Sequence, residues 1–333
     1  MTRRCPKTIL PVLALSTFLL LPAWTRPSGY TGTSGWETRE PPPPVAWGVE
    51  DFQFVWEKVA EAYPYLELKG IDWVQIRDRY RERLAGRPRS KIPGILMDLL
   101  GELRDGHVYL ELSGARSYPF TPRRMRNRNA FDPRLLKGYL GDCPRRASGG
   151  GVYYGRIEGD LGYILIPAFR AADLADDFAE AMTALSGTRG MILDVRNNPG
   201  GRGDRANEIA SWFLTSPMEK PPVYRLGRPL RFLPLQPKDV PYTKPVVVLI
   251  NGASFSEAER FAEVMKRIPS SVILGERTGG GSAGGGDRFT LPNGQVVSFG
   301  TYDYRRYDGL PWEGIGIEPD VTDRQSPAHV AAG

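Results

Sequence analysis

Apolar positions in the first third of the chain recur with a helical period. Between Asp51 and Leu103 they return every three to four residues in three separate runs, which predicts three amphipathic helices. After Asp105-Gly106-His107 the pattern changes, because residues 108–112 alternate between apolar and polar positions. The sequence therefore predicts an N-terminal three-helix unit that ends near residue 105 and is followed by a strand.

The second half of the chain alternates short apolar runs with amphipathic ones. The pattern predicts strands over 161–166, 191–195, 246–250 and 272–275, helices over 171–185, 202–214 and 256–267, and a hairpin over 290–304. Strands that alternate with helices form βαβ crossovers on a largely parallel sheet, so we predict an α/β fold. Reactive groups on such a sheet belong at the carboxyl ends of its strands.

Composition shifts divide the chain into six segments. We predict an export segment over residues 1–24, a Pro-rich linker over 25–49, an N-terminal helical domain over 50–105, a connecting β and loop segment over 106–160, a core domain over 161–322 and a disordered tail over 323–333. The first segment has a basic start and then the apolar run Ile9–Leu21, the layout of a signal peptide or of a single membrane anchor. We therefore expect an exported protein, with membrane association only through this segment.

Composition also narrows the functional classes. Hydrophobic residues make up 41% and charged residues 25% of the chain, which is an ordinary composition for a globular protein. Its 333 residues are enough for two compact units. The net charge of +6 is small and dispersed, and no basic helix or aromatic RNA-binding motif occurs, so we expect no nucleic-acid partner. A chain with one usable histidine and one cysteine beyond the export segment cannot build a His/Cys zinc site. We expect no metal and no cofactor.

Histidine supplies the first candidate for chemistry. The chain has only two, and His329 lies in the polar tail. His107 follows a glycine between the helical unit and the first predicted strand, a loop-like position where catalytic groups tend to sit. Its imidazole is suited to proton transfer near neutral pH, so His107 is a candidate general base, although a lone histidine is more often an ordinary polar residue.

A candidate nucleophile lies where the strand 246–250 passes into a helix. A serine at a helix start is exposed beside unpaired backbone N–H groups, which can stabilise an oxyanion. Ser256 fits that position, but Ser254-x-x-Glu257 and Ser256-x-x-Glu259 also fit capping boxes, so capping and catalysis both stay open. The loop 194–201 follows another strand, and its two glycines let the backbone approach a ligand. We interpret the glycine run 279–286 as a mobile rim or tight turn.

Six motifs in order resemble one known family. They are Leu103–His107, Gly162–Ile166, Ile192–Gly201, Ser254–Glu259, Leu274–Thr278 and Gly314–Asp320. Together they resemble the C-terminal (tail-specific) processing peptidases, with the tricorn core protease and interphotoreceptor retinoid-binding protein as relatives. The resemblance extends over residues 50–322 and implies a core with the crotonase/Clp-like β-β-α superhelix.

The resemblance also implies site residues. Ser256 takes the place of the family's nucleophile, and the N–H groups of Glu257 and of Gly200 or Gly201 take the place of its oxyanion hole. The processing peptidases pair their serine with a lysine in a Gly-Lys-Gly context, but this chain has Gly279–Gly281 there. The tricorn-like branch instead uses a histidine at the position of His107 and a glutamate at that of Glu313, and this chain is similar to that branch.

Two departures from the family keep an alternative open. Tricorn-like enzymes carry a serine where this chain has Gly106, and the segment between His107 and the strand at residue 161 is too short for a PDZ domain. The resemblance implies a serine peptidase that acts on peptides or proteins and in which His107 hydrogen-bonds Ser256 and Glu313 orients the imidazole. The alternative is a non-catalytic protein of the same fold that binds peptides or hydrophobic ligands. The sequence leaves the oligomeric state undetermined.

Overall fold

The computed structural model describes residues 46–126, 140, 145–282, 284 and 286–323. From Ala46 onward the chain forms one compact unit. The predicted export segment, the linker up to residue 45 and the tail from residue 324 lie outside the described residues. Within those described ranges, no helix is long and apolar enough to span a membrane.

Three helices form the N-terminal unit, as predicted. They are α1 (Val49–Ala62), α2 (Trp73–Leu84) and α3 (Ile92–Gly101). Asp72 caps α2, because its carboxylate accepts the Gln75 N–H at 2.9 Å. Pro93 lies in the first turn of α3, where its missing N–H leaves no helical hydrogen bond unmade. The apolar stripes of the three helices face one another in a common core.

Within the described residues, fourteen strands and three more α-helices follow. In chain order the strands are β1 (Tyr109–Leu112), β2 (Ala115–Ser117), β3 (Arg145–Arg146), β4 (Tyr153–Ile157), β5 (Leu161–Leu165), β6 (Gly190–Asp194), β7 (Val223–Arg225), β8 (Arg228–Pro229), β9 (Val246–Ile250), β10 (Ser271–Gly275), β11 (Asp287–Thr290), β12 (Val296–Phe299), β13 (Tyr302–Tyr304) and β14 (Val321–Thr322). The helices are α4 (Leu174–Ala184), α5 (Gly203–Ala210) and α6 (Glu257–Met265).

Seven strands form the main sheet in the order β14-β10-β9-β6-β5-β4-β3. The five strands from β14 to β5 are parallel, and β4 and β3 add an antiparallel edge. The predicted α/β architecture with a largely parallel sheet is therefore confirmed. All three predicted helices of this half are shorter than expected: α4 begins at Leu174 rather than at residue 171, α5 passes into a 3-10 turn at Ser211–Phe213, and α6 ends at Met265 rather than at residue 267.

The predicted C-terminal hairpin is confirmed, and it joins the N-terminal unit. Strands β11 and β12 form a four-stranded antiparallel sheet with β1 and β2, in the order β11-β12-β1-β2. Leu291, Val297 and Phe299 are buried in the same core as the three N-terminal helices. Residues from the predicted core domain thus complete the core of the helical unit. A third sheet, β13-β7-β8, was not predicted, because β7 and β8 are short and lie in Pro-rich sequence. Tyr302–Tyr304, which the sequence placed in the hairpin, pairs with β7 instead.

Candidate active site

The candidate nucleophile lies on a strained turn at the start of α6. Ser256 has φ 58° and ψ −123°, a backbone conformation that non-glycine residues rarely adopt and that clusters at functional sites. Its side chain makes no capping hydrogen bond. The Ser256 hydroxyl is therefore not used as a helix cap, although the Glu259 carboxylate accepts a hydrogen bond from the Ser256 N–H at 2.9 Å.

The Glu259 carboxylate holds this turn against the glycine run. It is fully buried and also accepts hydrogen bonds from Thr278 Oγ1 at 2.6 Å and from the N–H groups of Gly280 and Gly281 at 2.8 Å. Burial raises the pKa of Glu259, and these hydrogen bonds act against the rise. Residues 279–281 are buried, which disagrees with a mobile rim, the first of the two interpretations of this run, and leaves the tight turn. The only sequence indication of this role was the capping-box spacing.

The other serine of the motif is structural. Ser254 is fully buried, accepts the Asn251 N–H at 3.0 Å and donates to the Val195 carbonyl oxygen at 2.8 Å. Phe255 N–H donates to the Asn198 carbonyl oxygen at 2.9 Å. These bonds join the loops that follow the neighbouring parallel strands β6 and β9. Ser254 therefore links two loops rather than capping α6.

Gly200 approaches the nucleophile more closely than any side chain could. A Cβ at this position would lie 2.7 Å from Glu257 N and 2.8 Å from Ser256 Cβ. Its N–H, however, donates to Asn198 Oδ1 at 2.8 Å and is not free to bind an oxyanion. Within the described residues no hydrogen bond engages the N–H groups of Gly201 and Glu257. The structure thus favours Gly201 over Gly200 as the partner of Glu257.

The Glu257 side chain adds a titratable group beside this turn. Burial raises the pKa of its carboxyl to about 7, against the attraction of Arg260, whose Nη1 lies 3.8 Å from Glu257 Oε2. The carboxyl is therefore partly protonated near neutral pH. A neutral Glu257 side chain removes a negative charge from the neighbourhood of a forming oxyanion.

The candidate base is held by stacking and by a carboxylate. The His107 ring stacks on Phe255, with 4.7 Å between ring centroids. Asp105 Oδ1 accepts the His107 backbone N–H at 2.8 Å and lies 3.6 Å from His107 Nδ1, an ion-pair distance rather than a hydrogen bond. Burial lowers the pKa of His107, but the nearby carboxylates outweigh it, so the pKa lies above the usual value.

Asp105 is the carboxylate nearest to His107, a role that the sequence had assigned to Glu313. Asp105 is fully buried, and its Oδ2 accepts the Tyr63 hydroxyl at 2.9 Å. Burial raises its pKa, but the hydrogen bonds and charges of His107 and Lys69 lower it further, and the net pKa lies below the usual range. Asp105 therefore stays ionised and can stabilise a protonated imidazole. Sequence reasoning treated Asp105 only as the end of the helical unit.

Glu313 belongs to the same buried cluster but bonds other groups. Its Oε1 accepts Lys69 Nζ at 2.7 Å, and its Oε2 accepts the Ser282 N–H at 2.7 Å. No ion pair joins it to His107 among the described residues, so its influence on the imidazole acts through space. Burial and repulsion from Asp105 raise the pKa of Glu313 despite the Lys69 ammonium. Lys69 was missed, because nothing local in the sequence marks it.

Of the six predicted site residues, His107, Gly201 and Ser256 line one cavity of about 840 Å³, whereas Gly200, Glu257 and Glu313 do not line it. The expected hydrogen bond between His107 and Ser256 is not formed, because neither ring nitrogen has a hydrogen-bond partner among the described residues. Stacking on Phe255 accounts for the burial of the ring. Hydrogen bonds between a catalytic base and its nucleophile are often long in the absence of substrate and become shorter when substrate binds. No group of three metal-ligating side chains occurs in the described part of the chain.

Two protein families match the chain. Residues 160–323 match Peptidase family S41, and residues 49–86 match the Tricorn protease C1 domain. The S41 match contains the main sheet from β5 to β14 together with Ser256, and the C1 match contains α1 and α2.

Relatives agree with these matches. A carboxy-terminal-processing protease of Bartonella bacilliformis is 28% identical over 177 residues, 51% of this chain and 40% of that protein. A tricorn protease of Thermoplasma volcanium is 30% identical over 176 residues, 52% of this chain and 16% of that protein. The chain thus matches less than half the length of either relative.

A solved structure from Parabacteroides merdae has 27% identity and a TM-score of 0.74, covering 83% of this chain and 89% of that one. This likeness agrees with the predicted fold class. The S41 match spans the whole predicted core and the C1 match covers the first two helices, so the resemblance to the processing-peptidase and tricorn family that the sequence predicted is confirmed.

Proposed function

We propose that the protein is a serine peptidase in which Ser256 attacks the carbonyl carbon of a peptide bond. His107 accepts the Ser256 proton on Nε2 as the new C–O bond forms. The N–H groups of Glu257 and Gly201 stabilise the oxyanion. The C–N bond then breaks, His107 returns the proton to the leaving amine, and water releases the acyl group by the reverse sequence. Asp105 stabilises the imidazolium that exists between these two transfers.

One observation supports this proposal most strongly. Ser256 stands on a strained turn with an uncapped hydroxyl, beside two free N–H groups and in the same cavity as the only histidine among the described residues. A purely structural turn would gain nothing from that strain. The alternative, a non-catalytic binding protein of the same fold, is not favoured, because the relatives are named proteases.

Active-site labelling tests the proposal. A fluorophosphonate probe should label Ser256, as mapped by mass spectrometry, because labelling requires an activated hydroxyl. Ser256→Ala and His107→Ala should each abolish hydrolysis of a casein digest while the melting temperature stays unchanged. Ser90→Ala, which removes an exposed hydroxyl, is the matched control. Wild-type turnover in either site variant would remove that residue from the mechanism.

We also propose that the peptidase acts outside the cytoplasm. The basic start and the apolar run Ile9–Leu21 support export. Fusing residues 1–45 to a reporter that is active only after export should give activity, and replacing three leucines of the run with aspartate should abolish it. Equal reporter activity from both fusions would contradict the proposal.

A further inference from the structure

The cavity that contains Ser256 and His107 has an unbalanced charge. Its described lining includes four arginines and no aspartate or glutamate. The arginines are Arg116, Arg170, Arg202 and Arg288. Aromatic side chains, among them Tyr109 and Tyr118, make up much of the remaining wall. A peptide that enters this cavity therefore meets cations and aromatic rings.

The four arginines stand on two walls of the cavity that different parts of the fold supply. Arg170 and Arg202 flank the oxyanion side, because the Arg202 N–H donates to the Phe169 carbonyl oxygen at 2.8 Å and Arg202 directly follows Gly201. Arg116 lies on β2 and Arg288 on β11, in the sheet whose strand β1 follows His107. Both parts of the fold thus bring positive charge to the cavity that contains the nucleophile.

Only half of this charge is neutralised within the protein. Arg202 pairs with Asp204 at 2.8 Å, and Arg288 pairs with Glu111 at 2.9 Å. Arg116 lies over the Tyr109 ring at 4.8 Å, and neither it nor Arg170 has a carboxylate partner among the described residues. Both are exposed. Each wall therefore offers one guanidinium with no intramolecular counter-charge.

A neighbouring cavity is also lined by positively charged side chains. It measures about 420 Å³, shares Phe120 and Pro122 with the first cavity, and is lined by Arg104, Arg123 and Arg124. None of these three arginines forms an ion pair within the described residues. The positive field thus extends beyond the immediate surroundings of Ser256.

We infer that the cleft selects peptide segments with acidic side chains near the bond that is cut. This inference rests on the proposed peptidase activity and names its substrate class. A guanidinium binds a carboxylate through two parallel hydrogen bonds, so Arg116 and Arg170 can each bind one acidic side chain. The remaining arginines attract acidic peptides at longer range and raise the association rate.

Matched peptides test the inference. Three peptides with one common central sequence carry Glu, Gln or Lys at the flanking positions, and kcat/KM is measured for each. We expect the Glu peptide to exceed the Gln peptide about tenfold and the Lys peptide to be slowest. Raising the salt concentration from about 0.05 M to about 0.5 M should remove most of the difference, because screening shortens the reach of these charges.

Variants locate the preference in the cleft. The double variant Arg116→Gln/Arg170→Gln should lose most of the preference for Glu, measured within that variant as the ratio of kcat/KM for the Glu peptide to kcat/KM for the Gln peptide. The control Arg87→Gln/Arg228→Gln removes two exposed arginines that do not line either cavity, and it should keep the preference. An equal loss in both double variants would mean that net charge alone acts, which would overturn the inference.

Binding separates this inference from the activity itself. Fluorescence anisotropy of the same peptides with Ser256→Ala should show tighter binding of the Glu peptide whether or not the wild type cuts it. Tighter binding of the Glu peptide without any cleavage would contradict the proposed function and support only the preference of the cleft for acidic peptides. Cleavage without a preference for Glu would support the function and overturn the inference. Equal competition by a single-stranded oligonucleotide would indicate a general polyanion site and would also overturn it.

Discussion

The two halves of the candidate site are built in different ways. On the nucleophile side, the loops after β6 and β9 meet, and mostly backbone groups set the geometry around Ser256. On the base side, His107 depends on buried side chains that are distant in sequence. Asp105, Tyr63, Lys69 and Glu313 form one connected cluster there.

This difference predicts different responses to mutation. A backbone turn is set by sterics, so a single methyl group in the wrong place can close it. An ionic cluster distributes its effect over several charges, so removing one shifts pKa values and leaves the others in place. We therefore expect a single substitution on the nucleophile side to abolish most of the activity, and a single substitution on the base side to reduce the activity by a smaller factor.

The largest effect is expected on the nucleophile side. Gly200→Ala should lower kcat/KM by at least about 10³-fold, because the new methyl group would collide with Glu257 N and Ser256 Cβ and displace the oxyanion donors. Peptide hydrolysis and the melting temperature are measured together. Gly309→Ala is the control, since Gly309 has a similar φ of 80° but no atom within 4 Å of the added Cβ. Equal losses of kcat/KM in both variants would mean that backbone strain, and not the collision beside Ser256, causes the effect.

A smaller, pH-dependent effect is expected on the base side. Asp105→Asn should lower kcat by about 10²-fold, because the imidazolium loses its nearest carboxylate. In the wild type the raised pKa of His107 makes kcat/KM fall as the pH drops below that pKa, since a protonated imidazole cannot accept a proton. Without Asp105 the pKa falls, so this acid limb should move to lower pH. A pH profile of kcat/KM measures the shift.

Glu313→Gln is the matched comparison for that profile. Its charge reaches His107 only through space, so the acid limb should move less than in Asp105→Asn and kcat should fall less. A larger shift in Glu313→Gln would instead support the role that the family resemblance assigns to Glu313.

The sequence by itself determined the elements and the nucleophile side. Helical and strand periods predicted the three N-terminal helices, the parallel strands and the hairpin, because burial of one face imposes a period that is visible locally. The strand-to-helix turn after β9 predicted Ser256, and the family resemblance implied Glu257 and one of Gly200 and Gly201. These residues follow adjacent parallel strands, whose carboxyl ends lie side by side.

Only the tertiary structure decided which groups surround His107 and which N–H groups are free. Gly200 and Gly201 are equivalent in sequence, but the Asn198 side chain occupies the N–H of Gly200 alone. Lys69 and Glu313 are 244 positions apart, and Lys69 Nζ meets Glu313 Oε1 because the chain folds the α1–α2 connection against a distant C-terminal loop. Pairings of this range have no period and no local pattern, so they are fixed only when the core packs.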